Sequence, residues 1–268
     1  MGYAAARFLG LLTWAINTSD RRAVNANLSV IIPGDHDAGK RKRITRQVFA
    51  NFYFYLFEFL HSQKHELVRE NQNFFVSGKE IFTGLFERKQ PFIVVSAHLG
   101  NWEIAAEYMD QFGYPINLII QPHTDQRIND LFINCRRCRH TKLIPLGIGL
   151  RNAFKALKKG ENLTTVGDWG IGEGEGVEVR FFGQITRFPS GPAVLAVKTK
   201  TPLVPGFTIR EGSGYFHTYI EPPLTADSSQ NEEGQIKELT QNYAAILEKY
   251  VNLYPDQWCI FKRVWGNN

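Results

Sequence analysis

From Pro91 onward the chain alternates short apolar runs with longer stretches of helical periodicity, and that alternation constrains the fold more than any other feature. Phe92–Ala97, Ile116–Ile120, Lys142–Pro145, Leu163–Val166, Val177–Phe182, Leu203–Ile209 and Tyr215–Ile220 read as strands. Asn101–Phe112, Asp125–Arg137, Leu150–Lys159, Pro192–Lys200 and Glu232–Leu253 read as helices. A parallel strand pair needs a crossover, and a helix of this length supplies one, so the pattern specifies an α/β domain with a largely parallel central sheet flanked by helices. The last strands follow one another without a helix between them, which makes the sheet mixed.

The first 65 residues read differently. Residues 3–17 form a helix with Phe8, Leu11, Leu12, Ala15 and Ile16 on one side and Arg7 nearby. Asp20-Arg21-Arg22 and the segment Asn25–Ile32 follow, ended by Pro33-Gly34. Lys40-Arg41-Lys42-Arg43 then leads into a second helix from Ile44 to His61, apolar nearly all round, in which Glu58 is the only charge after Arg46. Such a helix is buried in a core or partly immersed in lipid. Basic residues ahead of an aromatic helix suit attachment to an anionic bilayer. Residues 1–65 are therefore expected to form a membrane-facing helical element and residues 66–268 the α/β domain, the two making one structural unit. The apolar run from Phe8 to Ile16 is far short of the about 20 residues a membrane span needs, so the expectation is a protein that lies on the surface.

Composition narrows the partners. Twenty Phe, ten Tyr and five Trp among 268 residues exceed what a core ordinarily requires, and aromatic rings suit a membrane–water boundary or the lining of an apolar groove. The net charge of +5 points to acidic partners: nucleic acid, anionic lipid or a phosphorylated substrate. No nucleic-acid-binding module is recognisable, and the basic groups lie beside apolar runs, which favours lipid. Cys135, Cys138 and Cys259 cannot form a disulfide framework without leaving one thiol unpaired, so a reducing compartment is expected. No signal peptide is visible. The glycine-rich stretch from Gly170 to Gly176 reads as a mobile loop.

The chemistry concentrates in Ser96-Ala97-His98-Leu99-Gly100-Asn101-Trp102-Glu103, directly after a strong strand signal. His98 thus falls at the carboxyl end of a strand, where open α/β sheets place their ligands. Five residues of ideal helix turn through about 500°, which leaves His98 and Glu103 roughly 140° apart if both lie within one helix. They can meet if His98 occupies the turn before the helix and Glu103 its first turn, with Gly100 and Asn101 as turn and cap. Such a pair suits general-base catalysis, with His98 removing a proton from a hydroxyl and Glu103 orienting the ring. A bare His-x4-Glu occurs often by chance; its place after a strand and the full string give it weight.

That string resembles the motif of the bacterial lipid A biosynthesis acyltransferases, the lauroyl/myristoyl transferase group, which has phosphatidylinositol mannoside acyltransferases as relatives. The resemblance extends, in order, through Arg21-Arg22 with Asn25 and Asn27-Leu28, Arg137-Cys138-Arg139, Lys155 to Glu161, Gly167-Asp168-Trp169-Gly170, Phe181-Phe182-Gly183, Gly191 to Pro205, and Pro255-Asp256-Gln257-Trp258 with Lys262-Arg263. It implies a glycerolipid-acyltransferase-like fold and an O-acyltransferase. The acyl chain would come from an acyl carrier protein or coenzyme A thioester and pass to a hydroxyl of an anionic membrane glycolipid, foremost a lipid A precursor. A phosphatidylinositol mannoside or other glycolipid is the alternative acceptor. It further implies substrate-binding roles for Asn101, Arg137, Arg139 and Asp168, a peripheral place on the cytoplasmic face of the bacterial inner membrane, and no cofactor or metal. Two departures stand out: the chain begins too late for the N-terminal transmembrane helix common in the family, and Gly167 stands where the Asp168 loop usually carries a further acid.

Other classes fit less well. Cys135-x2-Cys138 with His140 has no second ligand pair at a zinc-site spacing. No Gly-x-Ser-x-Gly elbow or P-loop is present, and Gly147-Ile148-Gly149-Leu150-Arg151-Asn152 fails as a dinucleotide fingerprint at its last position. The rival of a different class is a lipid-binding surface module without catalysis.

Overall fold

The computed structural model describes residues 2–34, 37–61, 68–69, 72–111, 115–136, 141–146, 149–169 and 175–266. In chain order the helices are α1 (Gly2–Ile16), α2 (Thr18–Ile31), α3 (Ala38–His61), α4 (Lys79–Glu87), α5 (Trp102–Gln111), α6 (Gln126–Cys135), α7 (Gly149–Lys158), α8 (Gly191–Thr199) and α9 (Glu232–Leu253). The strands are β1 (Phe74–Ser77), β2 (Ile93–Ser96), β3 (Ile116–Ile120), β4 (Thr141–Pro145), β5 (Asn162–Val166), β6 (Val177–Phe181), β7 (Gln184–Phe188), β8 (Leu203–Gly212) and β9 (Tyr215–Ile220).

Seven strands form one sheet in the order β1-β9-β8-β2-β5-β3-β4. The run from β8 to β4 is parallel, β9 is antiparallel to β8, and β1 pairs parallel with β9. The sheet is thus mixed and mostly parallel, as the alternation specified. β6 and β7 make a separate hairpin. Along β2, successive residues face opposite sides of the sheet. Ile93 and Val95 join the core under α7, α8 and α9, whereas Val94 joins the core under α4 and α5. Helices therefore cover both faces.

α9 earns its place by periodicity: Leu239, Tyr243, Leu247, Tyr250 and Val251 repeat at three- and four-residue steps and are all buried. Asn231 caps it by accepting from the Gly234 N–H at 2.8 Å.

α1 and α3 pack closely because Gly10 faces α3; a Cβ there would lie 2.8 Å from the Ala50 Cα and the Phe49 carbonyl oxygen. α3 carries Phe49 and Phe59 into the interior, each 1% exposed, which contributes roughly 1.5–3 kcal/mol apiece. α3 begins at Ala38, so the basic run 40–43 belongs to its first turns. Most of the excess Phe is core: Phe74, Phe92, Phe181, Phe188, Phe207 and Phe216 are fully buried. No helix among the described residues is long and apolar enough to cross a membrane.

Candidate active site

β2 and β5 are parallel neighbours in the register Ser96↔Val166. Their connections leave in opposite directions, β2 by α5 towards β3 and β5 by the hairpin and α8 towards β8. This boundary is a topological switch point, where a crevice opens at the carboxyl ends of the strands. The Gly167 N–H continues the ladder to the Ser96 carbonyl at 2.8 Å. His98 and Asp168 each lie two residues beyond a paired position, so the register itself brings together side chains seventy residues apart.

Asp168 is fixed from three sides. Its Oδ1 meets His98 Nδ1 at 2.9 Å, and its Oδ2 accepts from the His98 backbone N–H at 2.9 Å and from the Trp258 indole N–H at 3.1 Å. The carboxylate is fully buried while the His98 side chain is 23% exposed. With Nδ1 held by a carboxylate, Nε2 is the nitrogen left to receive a proton. The pair thus has a closed end and an open end. Trp102 stands edge-on to the imidazole with centroids 4.9 Å apart, and Tyr55 stacks on Trp102 at 4.2 Å.

The turn between His98 and α5 is stitched to the segment after α9 and to the middle of β8. The His98 carbonyl accepts from the Cys259 N–H at 2.8 Å, Gly100 N–H donates to Gln257 at 3.0 Å, and Asn101 N–H donates to Thr208 at 2.8 Å. Gly100 is required: its φ is +66°, and a Cβ would fall 1.9 Å from the Thr208 carbonyl oxygen. Asn101 caps α5 as expected, accepting from the Ile104 N–H at 3.2 Å. Its amide nitrogen donates at 2.7 Å to Glu58, which is also paired with Arg210 and accepts from the Tyr3 hydroxyl at 3.1 Å. Asn101 is fully buried, so it supports the motif from behind instead of facing a ligand.

The sequence expectation that Glu103 orients His98 is corrected. Glu103 lies in the first turn of α5 but points to the end of α6, where Arg136 Nη2 reaches Oε1 at 2.6 Å and Nε reaches both oxygens at 3.1 Å. A bidentate guanidinium is a stronger partner for that carboxylate than an imidazole. Burial opposes the charge of Arg136, but the neighbouring Glu103 outweighs it and raises the guanidinium above its ordinary range. Phe59 and Phe132 flank Arg136 at 5.5 and 5.4 Å. Arg137 and Arg139, like Cys138, His140 and Gly170–Gly174, lie outside the described residues. The arginine on view is their neighbour Arg136.

His98, Trp102, Glu103, Arg136, His123 and Tyr55 border one cavity of about 290 Å³. Ser96, Trp102 and Thr164 also line a smaller apolar pocket behind it, with Phe82 and Met109. Other cavity groups are electrostatically quiet. Burial pushes the Cys259 thiol up to about 12, so it is no thiolate nucleophile. Burial, and next the charge of Glu103, holds the Tyr55 hydroxyl protonated. Burial, and next Arg136, lowers the pKa of His123. The glycine at 167 has a packing reason, since a Cβ there would lie 2.7 Å from Val95 and 2.9 Å from Tyr243.

The sequence reading missed Arg136, Glu58, Arg210 and the link from Asp168 to His98. For that link a signal existed: each residue follows a strand run within one or two positions.

Residues 2–267 match the family described as bacterial lipid A biosynthesis acyltransferase. A phosphatidylinositol mannoside acyltransferase of Mycolicibacterium smegmatis is 27% identical over 179 residues, covering 65% of this chain and 56% of that protein. One of Mycobacterium tuberculosis is 28% identical over 178 residues, covering 65% and 54%. The aligned segment spans about half the length of these relatives.

Proposed function

The chain belongs to the bacterial lipid A biosynthesis acyltransferase family, and from that premise we propose that it transfers a fatty acyl group from a thioester to a hydroxyl of a membrane glycolipid, with His98 as general base. The observation that carries this is the 2.9 Å bond between His98 Nδ1 and Asp168 at the wall of a cavity. The acceptor hydroxyl gives its proton to His98 Nε2 as its oxygen attacks the thioester carbonyl. The tetrahedral intermediate collapses with a new C–O ester bond and a broken C–S bond, and the thiolate takes the proton back from the imidazolium. Asp168 holds the ring and stabilises its charged form. Arg136, anchored by Glu103, puts positive charge on the cavity wall where the developing oxyanion or an acceptor phosphate would lie. No serine or cysteine nucleophile is needed.

A lipid A precursor is the acceptor that the family description supports. The two mycobacterial relatives support a second reading, a phosphatidylinositol mannoside or similar glycolipid. An acidic acyl carrier protein or the phosphates of coenzyme A would each suit the net charge of +5 as donor. We place the protein at the cytoplasmic face of the bacterial inner membrane, bound from one side; the exposed Phe8, Leu12 and Ile16 of α1 support a bilayer contact.

The test is acyl transfer by purified protein from an acyl thioester, with both lipid classes offered as acceptors and the products read by mass spectrometry. His98→Ala should lose about a hundred- to ten-thousandfold in rate with unchanged melting. A variant that still transfers at the normal rate removes His98 from the chemistry, and a parent protein that transfers to neither acceptor leaves the lipid-binding-module reading in its place.

A further inference from the structure

We propose that a basic hollow between α1, α2 and α3 binds the phosphate of an anionic membrane lipid, at a site separate from the acyl-transfer cavity. It rests on the proposed bilayer contact and adds a specific headgroup site to it. The hollow measures about 540 Å³ and is bordered by Trp14, Arg21, Arg22, Asn25, Arg41 and Lys42. Four of these are cations, and no acidic side chain among the described residues lines it. Asp20, beside Arg21, is turned to Asn17 at 2.8 Å, and Asp37, beside Ala38 at the rim, does not line it.

The hollow is built rather than a chance meeting of surface charges. Arg21 Nη1 donates to the Trp14 and Ala15 carbonyls at 2.9 and 3.1 Å, closing the end of α1. Arg41 Nη1 does the same for α2 through the Ile32 and Gly34 carbonyls. Carbonyls at helix ends lack intrahelical partners, so these bonds order both guanidinium groups. Arg21 and Arg46 pack over the Trp14 ring at 5.3 and 4.5 Å. The Trp14 Nε1–H is a buried donor with no acceptor among the described residues. Two ordered guanidinium groups, two further cations and no acid among the described lining residues describe an anion site.

A lipid rather than a free phosphate follows from the neighbouring surface. The outer face of α1 exposes Phe8 at 66%, Leu12 at 46% and Ile16 at 70%, with Leu9 and Leu11 beside them, and the last turn of that helix carries Trp14 to the hollow. A free phosphate makes no use of such a face. A bilayer uses both, with acyl chains against α1 and a headgroup phosphate in the hollow. The two cavities also share one side of α3. Arg41 and Tyr55 are fourteen residues apart, about 21 Å of helix rise and within about 40° in rotation. A headgroup held in the hollow would therefore turn the acyl-transfer cavity to the same surface.

The experiment is flotation with vesicles of phosphatidylcholine, with and without phosphatidylglycerol, at fixed salt. Arg22→Ala/Lys42→Ala removes two exposed cations of the hollow, and Lys198→Ala/Lys237→Ala removes the same charge from α8 and α9. The first pair should bind phosphatidylglycerol vesicles about tenfold or more weakly, and the second pair should bind like the parent. Leu12→Glu should weaken binding to both vesicle types. Equal binding by the two alanine pairs overturns the headgroup site while leaving membrane attachment standing. No binding of the parent protein to either vesicle breaks the attachment on which the site rests. Calorimetric titration with sn-glycerol 1-phosphate covers the other source: tight binding lost in Arg22→Ala/Lys42→Ala, without any vesicle effect, means a free phosphate ligand and overturns the lipid. A raised KM for a protein-carried acyl donor with vesicle binding intact means the hollow docks an acidic protein, and overturns it equally.

Discussion

The Glu58–Arg210 pair and the His98–Asp168 pair grip the same short segment, residues 98–101, and use burial in opposite ways. Glu58 and Arg210 are 0% and 6% exposed, and their side chains bond each other and Asn101, Tyr3 and Asn51. In the other pair the carboxylate is sealed, whereas the imidazole is 23% exposed and keeps a ring nitrogen for the cavity. A closed pair holds backbone in place; a pair closed at one end only can move a proton. Glu103–Arg136 lies between these cases, 6% and 13% exposed, anchored like the first and bordering the cavity like the second.

Breaking the closed pair should give the largest change in stability. Arg210→Met strands a buried carboxylate and should cost about 3–5 kcal/mol in chemical denaturation, and Glu58→Leu added to it should recover most of that loss. A full recovery of stability with lowered acyl transfer would show that the pair also positions the motif through Asn101.

A second carboxylate on α5 sharpens the contrast, because Glu107 is buried and neither oxygen has a hydrogen-bond partner among the described residues. Burial, and next the charge of Asp110, pushes it up from 4.5 to about 7. A raised folded pKa means stability that is fully present below the ordinary value and lost as pH rises through 7. Glu107→Gln should therefore melt like the parent at pH 4 and gain up to about 3 kcal/mol by pH 8. A pH-independent difference between the two proteins would contradict this. The smallest effect is expected at the junction: Asn101→Ala removes the α5 cap and one partner of Glu58, for about 2 kcal/mol and a lower kcat. Unchanged melting of Asn101→Ala would remove the link between scaffold and site.

The sequence made the sheet legible where strands run parallel and apolar, as at Ile116–Ile120, and where two strands meet directly, as at Tyr215–Ile220. It concealed β7 because the hairpin turn places Phe182 at φ +51° before Gly183 at φ +73°. A bulky residue is unusual in that conformation, so the turn carried only half of its usual chemical signal. β1 and α4 are short, and β1 is held at the sheet edge by pairing with β9, a distant partner. In the site, the His98 motif, its turn and its cap were local and could be inferred from spacing. The partner of His98 was not: sequence distance favoured Glu103, five residues away, over Asp168, and only the parallel register of β2 on β5 reverses that choice. Arg136 escaped for a related reason. It stands first in a basic run, and which member of that run faces inward depends on where α6 ends.

The most direct measurement compares steady-state acyl transfer by Asp168→Asn and the parent protein, with melting temperature as control. Replacing the carboxylate by an amide keeps the shape while removing the charge that sets the tautomer of His98. The expected result is a kcat about a thousand- to ten-thousandfold lower, with donor KM and melting unchanged. A kcat within a few-fold of the parent would contradict an Asp168-oriented base and leave His98 without its proposed role.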